Sequence, residues 1–119
     1  MQKRFTFSYG ERLHLQKDFK RIFKTGRRLA HPALFIYIGP GNDASGKSRL
    51  GLVTSRKLGE AVERNRLKRR LREIFRLHKH AFTLSDIVFV PRPGACELNF
   101  ENLKTAVLGL LEKAGAYNK

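Results

Sequence analysis

Acidic residues are scarce in this chain: 10 Asp and Glu stand against 25 Lys and Arg, a formal +15 over 119 residues. Such an imbalance disfavours a cationic partner and suits a polyanion, phosphate above all. Cysteine occurs once, at Cys96, which excludes an internal disulfide and fits a reducing cytosol. The expectation there is a free core thiol rather than a nucleophile. No apolar run is long enough to cross a bilayer, and Met1-Gln-Lys-Arg-Phe5 lacks the apolar stretch of a signal peptide. A cytoplasmic protein with no membrane partner is therefore expected.

Catalytic and metal-binding spacings are also missing. His14, His31, His78 and His80 are scattered, and His78-Lys-His80 does not put two ligands on one helical face. Asp18, Asp43 and Asp86 lie far apart in sequence, so no paired-carboxylate motif is legible. Ser55 has no Gly-x-Ser-x-Gly setting. Gly39-Pro-Gly41 and Gly46 are read as lacking the following Lys-Ser/Thr and helix of a phosphate-cradling turn. No catalytic residue, metal ligand or small-molecule site is assigned. Low-complexity sequence is absent too. With 41% hydrophobic residues, nine Phe and three Tyr, the chain can bury a core rather than remain a basic disordered tail. One domain over 1–119 fits the length, with residues 1–12 extended or flexible.

What is present is concentrated in residues 61–76. They carry Arg64, Arg66, Lys68, Arg69, Arg70, Arg72 and Arg76 with one interior acid, Glu73. At 100° per residue, Leu67, Leu71, Ile74, Phe75 and His78 form one stripe, while Asn65, Arg69, Arg72 and Arg76 fall nearly opposite. Like charges so close weaken an isolated helix. Phosphates remove that repulsion by pairing with the guanidinium forks. A merely solvated face is the competing expectation, but solvated faces usually mix signs. Nucleic-acid binding is the better reading.

Around this helix the pattern alternates. Leu15, Phe19, Ile22 and Phe23 predict a short amphipathic helix stopped by Gly26. Residues 34–38 predict a strand, 39–46 a loop, and 50–54 a second strand, most simply antiparallel to the first. The basic helix runs to about His78, and a third strand covers 86–90. Asn99 is the expected N-cap of a last helix whose Phe100, Leu103, Val107, Leu110 and Leu111 form its buried stripe. The order αββαβα with a mixed sheet makes the class α+β. In the first strand Phe35 and Tyr37 face away from Leu34, Ile36 and Ile38. They either make a platform on which unpaired bases stack, or lie as ordinary core beneath a helix. Phe19 and Phe23 carry the same two readings.

Arg64-Asn-Arg-Leu-Lys-Arg69, preceded by Arg49-Leu-Gly-Leu-Val-Thr-Ser-Arg-Lys-Leu-Gly-Glu-Ala-Val62, resembles the signature of the bacterial ribonuclease P protein subunit. The segments at 12–26 and 86–94 are similar to that family's first helix and to its last strand and turn. The resemblance implies a small α/β sandwich with a left-handed βαβ crossover, against the general rule. It implies a 1:1 ribonucleoprotein in which a large RNA and its Mg²⁺ ions remove the 5′ leader of precursor tRNA. The protein then binds no cofactor of its own. By the same resemblance, Arg64, Asn65, Arg66, Lys68, Arg69 and Arg72 contact the catalytic RNA. Phe19, Phe23 and Tyr37 line a leader cleft; Phe35 joins them because it shares Tyr37's face. Arg56, Lys57 and Arg92 sit nearby. Ser-Arg-Lys at 55–57 departs from the family's commoner Ser-Lys-Lys, which keeps charge and changes hydrogen-bond geometry.

Three rivals are weaker. A ribosomal-type or regulatory RNA-binding module shares the composition but not the three matching segments. A double-stranded DNA binder lacks a second helix at helix-turn-helix spacing. A self-sufficient nuclease lacks any local carboxylate or His motif.

Overall fold

The computed structural model describes residues 12–13, 16–40, 48–82 and 85–117. The expectations for residues 1–11, His14, Leu15, Asp43 and the loop at 41–47 lie outside them. Helix α1 is Gln16–Thr25, followed by strands β1 (Arg27–His31), β2 (Leu34–Pro40) and β3 (Arg49–Leu52). Helix α2 is Ala61–His78, strand β4 Ser85–Pro91 and helix α3 Phe100–Lys113. Short 3-10 turns occupy Arg56–Leu58, Lys79–Ala81 and Pro93–Glu97.

The mixed sheet has one strand more than the sequence pattern indicates, and a different neighbour relation. Its order is β1-β2-β4-β3. Strands β1 and β2 form an antiparallel hairpin, β2 pairs antiparallel with β4, and β4 pairs parallel with β3. The second predicted strand therefore runs opposite to the first without touching it, because β4 lies between them. Ile87, Val88 and Phe89 in β4 are all fully buried. A strand apolar on both faces needs a central place, with neighbours on both edges and helices on both sides. Residues 27–31 suit an edge: they are short and basic, and only Leu29 is a large apolar residue. The parallel β3–α2–β4 connection is where the crossover expected from the resemblance falls. The predicted strand at 50–54 is also shorter, although the Val53 amide still donates to the Phe89 carbonyl at 3.0 Å.

Two layers of helix cover the sheet. On one face Leu34, Ile36, Leu50, Ile87 and Phe89 pack against Leu67, Leu71, Ile74 and Phe75 of α2, and against Leu103, Val107 and Leu111 of α3. These stripes follow the predicted helical spacing. Phe100 and Leu110 are half-buried beside them. His78, at the end of the α2 stripe, packs edge-on to Tyr117 at 6.0 Å. Burial first, then Lys104 and His80, holds its imidazole below the ordinary value. Asn99 caps α3 as expected, its side-chain oxygen accepting from the Asn102 amide at 2.8 Å.

On the opposite face α1 lays Ile22 against Val88 and Leu13, with Phe19, Tyr37 and Val90 partly buried around them. Gly26 ends the helix because the chain turns where a β-carbon would lie 2.4 Å from the Ile22 carbonyl oxygen. The Gly26 amide donates to that same oxygen at 2.8 Å. Under α1, the fully buried Asp86 accepts from Arg21 Nη2 at 2.8 Å and from Arg49 Nε and Nη2 at 3.0 and 2.8 Å. Asp18 lies 3.6 Å from Arg21 and 3.7 Å from Arg49. This four-membered cluster fixes α1 to the end of the sheet nearest Gly39.

Candidate nucleic-acid interface

Burial of the apolar stripe turns the opposite side of α2 outward. Asn65, Lys68, Arg69 and Arg72 line one groove of about 430 Å³, together with Arg12, Glu73 and Arg76. Among the described residues Glu73 is the one acid lining it, and Arg76 occupies it: Arg76 Nε donates to its carboxylate at 3.1 Å, and Nη2 donates to the second oxygen. The Arg76 hydrogen bond holds the Glu73 carboxyl below its ordinary value, against a smaller opposing effect of burial. The groove is thus cationic along its length, with forked donors suited to phosphate and an amide that both donates and accepts.

The other two residues assigned to this set lie elsewhere on the helix. Arg66 borders a separate hollow of about 390 Å³ with Leu58, Glu63, Arg70 and Cys96. Arg64 is half-buried beside the apolar stripe, with its Nε enclosed and lacking a hydrogen-bond partner among the described residues. Arg70 is turned inward, donating to the Leu98 carbonyl at 3.0 Å. Arg12 and Arg76 join the groove though neither was assigned to it. The spacing of Arg76 on the exposed face could have indicated it. Arg12 arrives through an isolated parallel bridge to Leu50, which no local pattern announces.

A second hollow of about 210 Å³ adjoins the first. Arg12 and Arg72 line both, and Phe19, Leu13, Leu50, Gly51 and Leu52 complete it. Gly51 is needed as the floor, since a β-carbon there would lie 2.6 Å from the Phe19 ring. Phe23 is 40% exposed and meets Tyr37 edge-on at 4.8 Å, with Phe19 at 6.4 Å on its other side. Three of the assigned aromatic residues therefore form one chain of rings along α1. Phe19 and Tyr37 are partly buried in the minor core, and Phe23 stands exposed between them.

The opposite end of the sheet, away from Gly39, gathers the rest. Pairing of Leu34 with Pro91 and of Leu52 with Phe89 brings Phe35, Val90, Arg92 and Val53 to the same end. The exposed Arg56 and Lys57 follow on the turn after β3. The Arg92 guanidinium lies 5.0 Å from the centre of the half-buried Phe35 ring.

Other polar groups that the sequence singles out have local structural partners. Asp18 and Asp86, distant in sequence, do approach each other, but both are engaged by Arg21 and Arg49 in a structural cluster. Among the described residues no three His, Cys, Asp or Glu side chains gather to hold a metal ion. Cys96 donates to the Leu58 carbonyl at 3.1 Å, and burial pushes its thiol above the ordinary value, opposite to what a nucleophile needs. The loop requires one correction of the sequence reading. Gly41-Asn-Asp-Ala-Ser-Gly46-Lys47-Ser48 has the letters of a phosphate-binding loop. Ser48 leads into β3 rather than a helix, and its hydroxyl accepts from the Ser85 amide at 3.2 Å. Without a helix N-terminus the spelling lacks its mechanism. No helix among the described residues is long and apolar enough to cross a membrane.

Comparison with known proteins agrees with this arrangement. Residues 7–115 match the family described as Ribonuclease P. The ribonuclease P protein component of Dictyoglomus thermophilum is 38% identical over 117 residues, covering 94% of each chain. The solved RNase P protein of Staphylococcus aureus superposes with a TM-score of 0.82 at 32% identity, over 91% of this chain and 98% of that one. That of Thermotoga maritima gives 0.76 at 38% identity, over 87% and 96%. By the family match over residues 7–115 and by relatives above 30% identity along nearly the whole chain, the chain belongs to the ribonuclease P protein family.

Proposed function

We propose that this protein docks through α2 on a catalytic ribonuclease P RNA, as one protein per RNA, and holds the 5′ leader of precursor tRNA across α1 and the sheet. The observation that carries this reading is the continuity of the two hollows at Arg12 and Arg72. One face of that junction is predominantly cationic and suits the sugar-phosphate backbone of a folded RNA. The other carries the Phe19 ring, from which Phe23 and Tyr37 continue along α1, and suits unpaired bases, which stack at about 1–3 kcal/mol each. A single nucleic-acid complex can therefore span both. Mg²⁺ and the hydrolysis of the phosphodiester belong to the RNA, and the setting is the cytoplasm.

In this mechanism the protein's residues bind and orient. Guanidinium groups on α2 neutralise phosphates and release their counterions. The rings add affinity only when a leader is present, so precursor is favoured over mature tRNA. If about five phosphates are neutralised, log affinity falls with log salt at a slope of roughly −3 to −5.

The direct test is cleavage of 5′-labelled precursor tRNA at low Mg²⁺ with a bacterial ribonuclease P RNA, the protein, or both. Cleavage at the mature 5′ end only when both are present is expected. RNA binding without that rescue would favour a plain binding module, and cleavage by protein alone would mean a nuclease. For the leader, Phe23→Ala is expected to weaken precursor binding to the reconstituted complex about tenfold, in the range of one lost stacking contact. Mature tRNA binding should not change. Phe23 is 40% exposed and lies outside the buried clusters, so the fold should hold; equal losses for both ligands would remove the ring chain from the leader path.

A further inference from the structure

We propose that Arg28, with Phe35 and Arg92, forms an additional subsite for a phosphodiester of single-stranded RNA, taking the part of the leader farthest from the cleavage site. The inference rests on the leader reading above and adds a residue and a direction to it. Arg28 lies directly opposite Tyr37 in the β1–β2 register, and Ala30 lies opposite Phe35. Alternation along the strands puts Arg28, Phe35 and Tyr37 on one face. The Arg28 guanidinium is 5.0 Å from the centre of the Phe35 ring, the same distance as that of Arg92. Arg92 is held there by its backbone, whose amide donates to the Ala33 carbonyl at 2.8 Å. Both arginines are exposed, and among the described residues neither meets a carboxylate.

Two like charges thus lie against one ring, Arg28 from the β1 side and Arg92 from the β4 side. Each is attracted to the ring, but among the described residues no carboxylate offsets their like charge. An anion bridging them does, and a phosphodiester presents the paired oxygens that guanidinium forks bind best. The neighbouring rings favour a strand whose bases are free to stack over a duplex whose bases are not. The direction comes from the sheet. The hollow shared with α2 lies along β3 at one edge, and β1 is the opposite edge. A leader entering from an RNA docked on α2 meets Phe19 first and Arg28 last, so only longer leaders reach Arg28.

The test uses the reconstituted ribonucleoprotein and precursor tRNAs with leaders graded from a few to about ten nucleotides, the scale of a single-stranded binding site. Affinity for the longest leader is expected to fall about fivefold with Arg28→Ala, and its salt slope to shrink by about 0.7 for one lost phosphate. The shortest leader and mature tRNA should be unaffected. Arg28→Lys should retain the slope while losing part of the affinity, because charge is kept and the fork is not. An equal loss at every length, mature tRNA included, would overturn the subsite and put Arg28 on the catalytic RNA. No loss at any length, while Phe23→Ala still discriminates precursor from mature tRNA, would overturn the subsite and leave the leader reading intact. If Phe23→Ala is also inert, the leader reading fails and the subsite with it.

Discussion

Replacing Asp86 with Ala is expected to lower the stability of the fold by about 3–5 kcal/mol, the usual cost of removing one partner from a buried ion pair. Asp86 has no solvent exposure and accepts three hydrogen bonds from two guanidinium groups. The hydrogen bond to Asp86 is the main cause that holds the Arg49 guanidinium above its ordinary value, and desolvation opposes it. Once Asp86 is gone, Arg49 keeps only Asp18, at 3.7 Å, with 14% of its side chain exposed. Arg21 is 39% exposed and can turn to water. The loss should therefore track Arg49.

Urea unfolding checks this. With a slope of about 1–3 kcal/mol per molar for a small protein, the midpoint should drop by roughly 2 M with the slope unchanged. The double change Arg49→Met with Asp86→Leu should recover most of the loss, since buried pairs exchanged as a unit for apolar groups are often neutral. A double variant as unstable as Asp86→Ala would mean that the stranded charge is not the cause. A functional consequence follows as well. The cluster fixes α1, and α1 carries Phe19 and Phe23, so Asp86→Asn should impair precursor discrimination more than affinity for the catalytic RNA.

The opposite pairing of effects is expected on α2. Arg69→Glu with Arg72→Glu should reduce affinity for a ribonuclease P RNA by about 100-fold or more at physiological salt. The salt slope should shrink by about 1.5–2. Thermal stability should stay the same or rise slightly. Both side chains are exposed, and their groove holds one acid among its cations. Reversal relieves the repulsion along that face. Loss of RNA affinity without loss of stability separates a binding surface from a structural one; unchanged affinity would exclude this groove as the docking site. Arg66→Glu, on the other flank of the helix, is expected to have a smaller effect if the groove dominates docking.

The helices were legible for a local reason. Leu67, Leu71, Ile74 and Phe75 recur at helical spacing, and all are buried in the structure. Asn99 was identifiable as a cap because the group it satisfies lies three residues away. Strand β1 was not legible: Arg-Arg-Leu-Ala-His has no alternating apolar set, and it becomes a strand by pairing with β2. The place of β4 between β2 and β3 was hidden too. The apolar run at 87–89 announces burial, but not which neighbours supply it. Within the functional surface, the exposed side of α2 could be read from its angles. The separation of Arg66 from Arg69, the arrival of Arg12 and the pairing of Arg28 with Phe35 could not.

By itself the sequence determined the charge of the molecule, the spans of its basic and last helices, its α+β class and its likeness to one family. These rest on composition and on interactions between residues a few positions apart. Tertiary structure decided the strand order, the cations that share a groove and the cluster that fixes α1. Arg21 and Asp86 are 65 positions apart, and Arg12 meets Leu50 across a bridge. Such contacts form only when the whole chain has found an arrangement that buries its apolar faces together, and no local pattern specifies which distant residue comes to lie opposite.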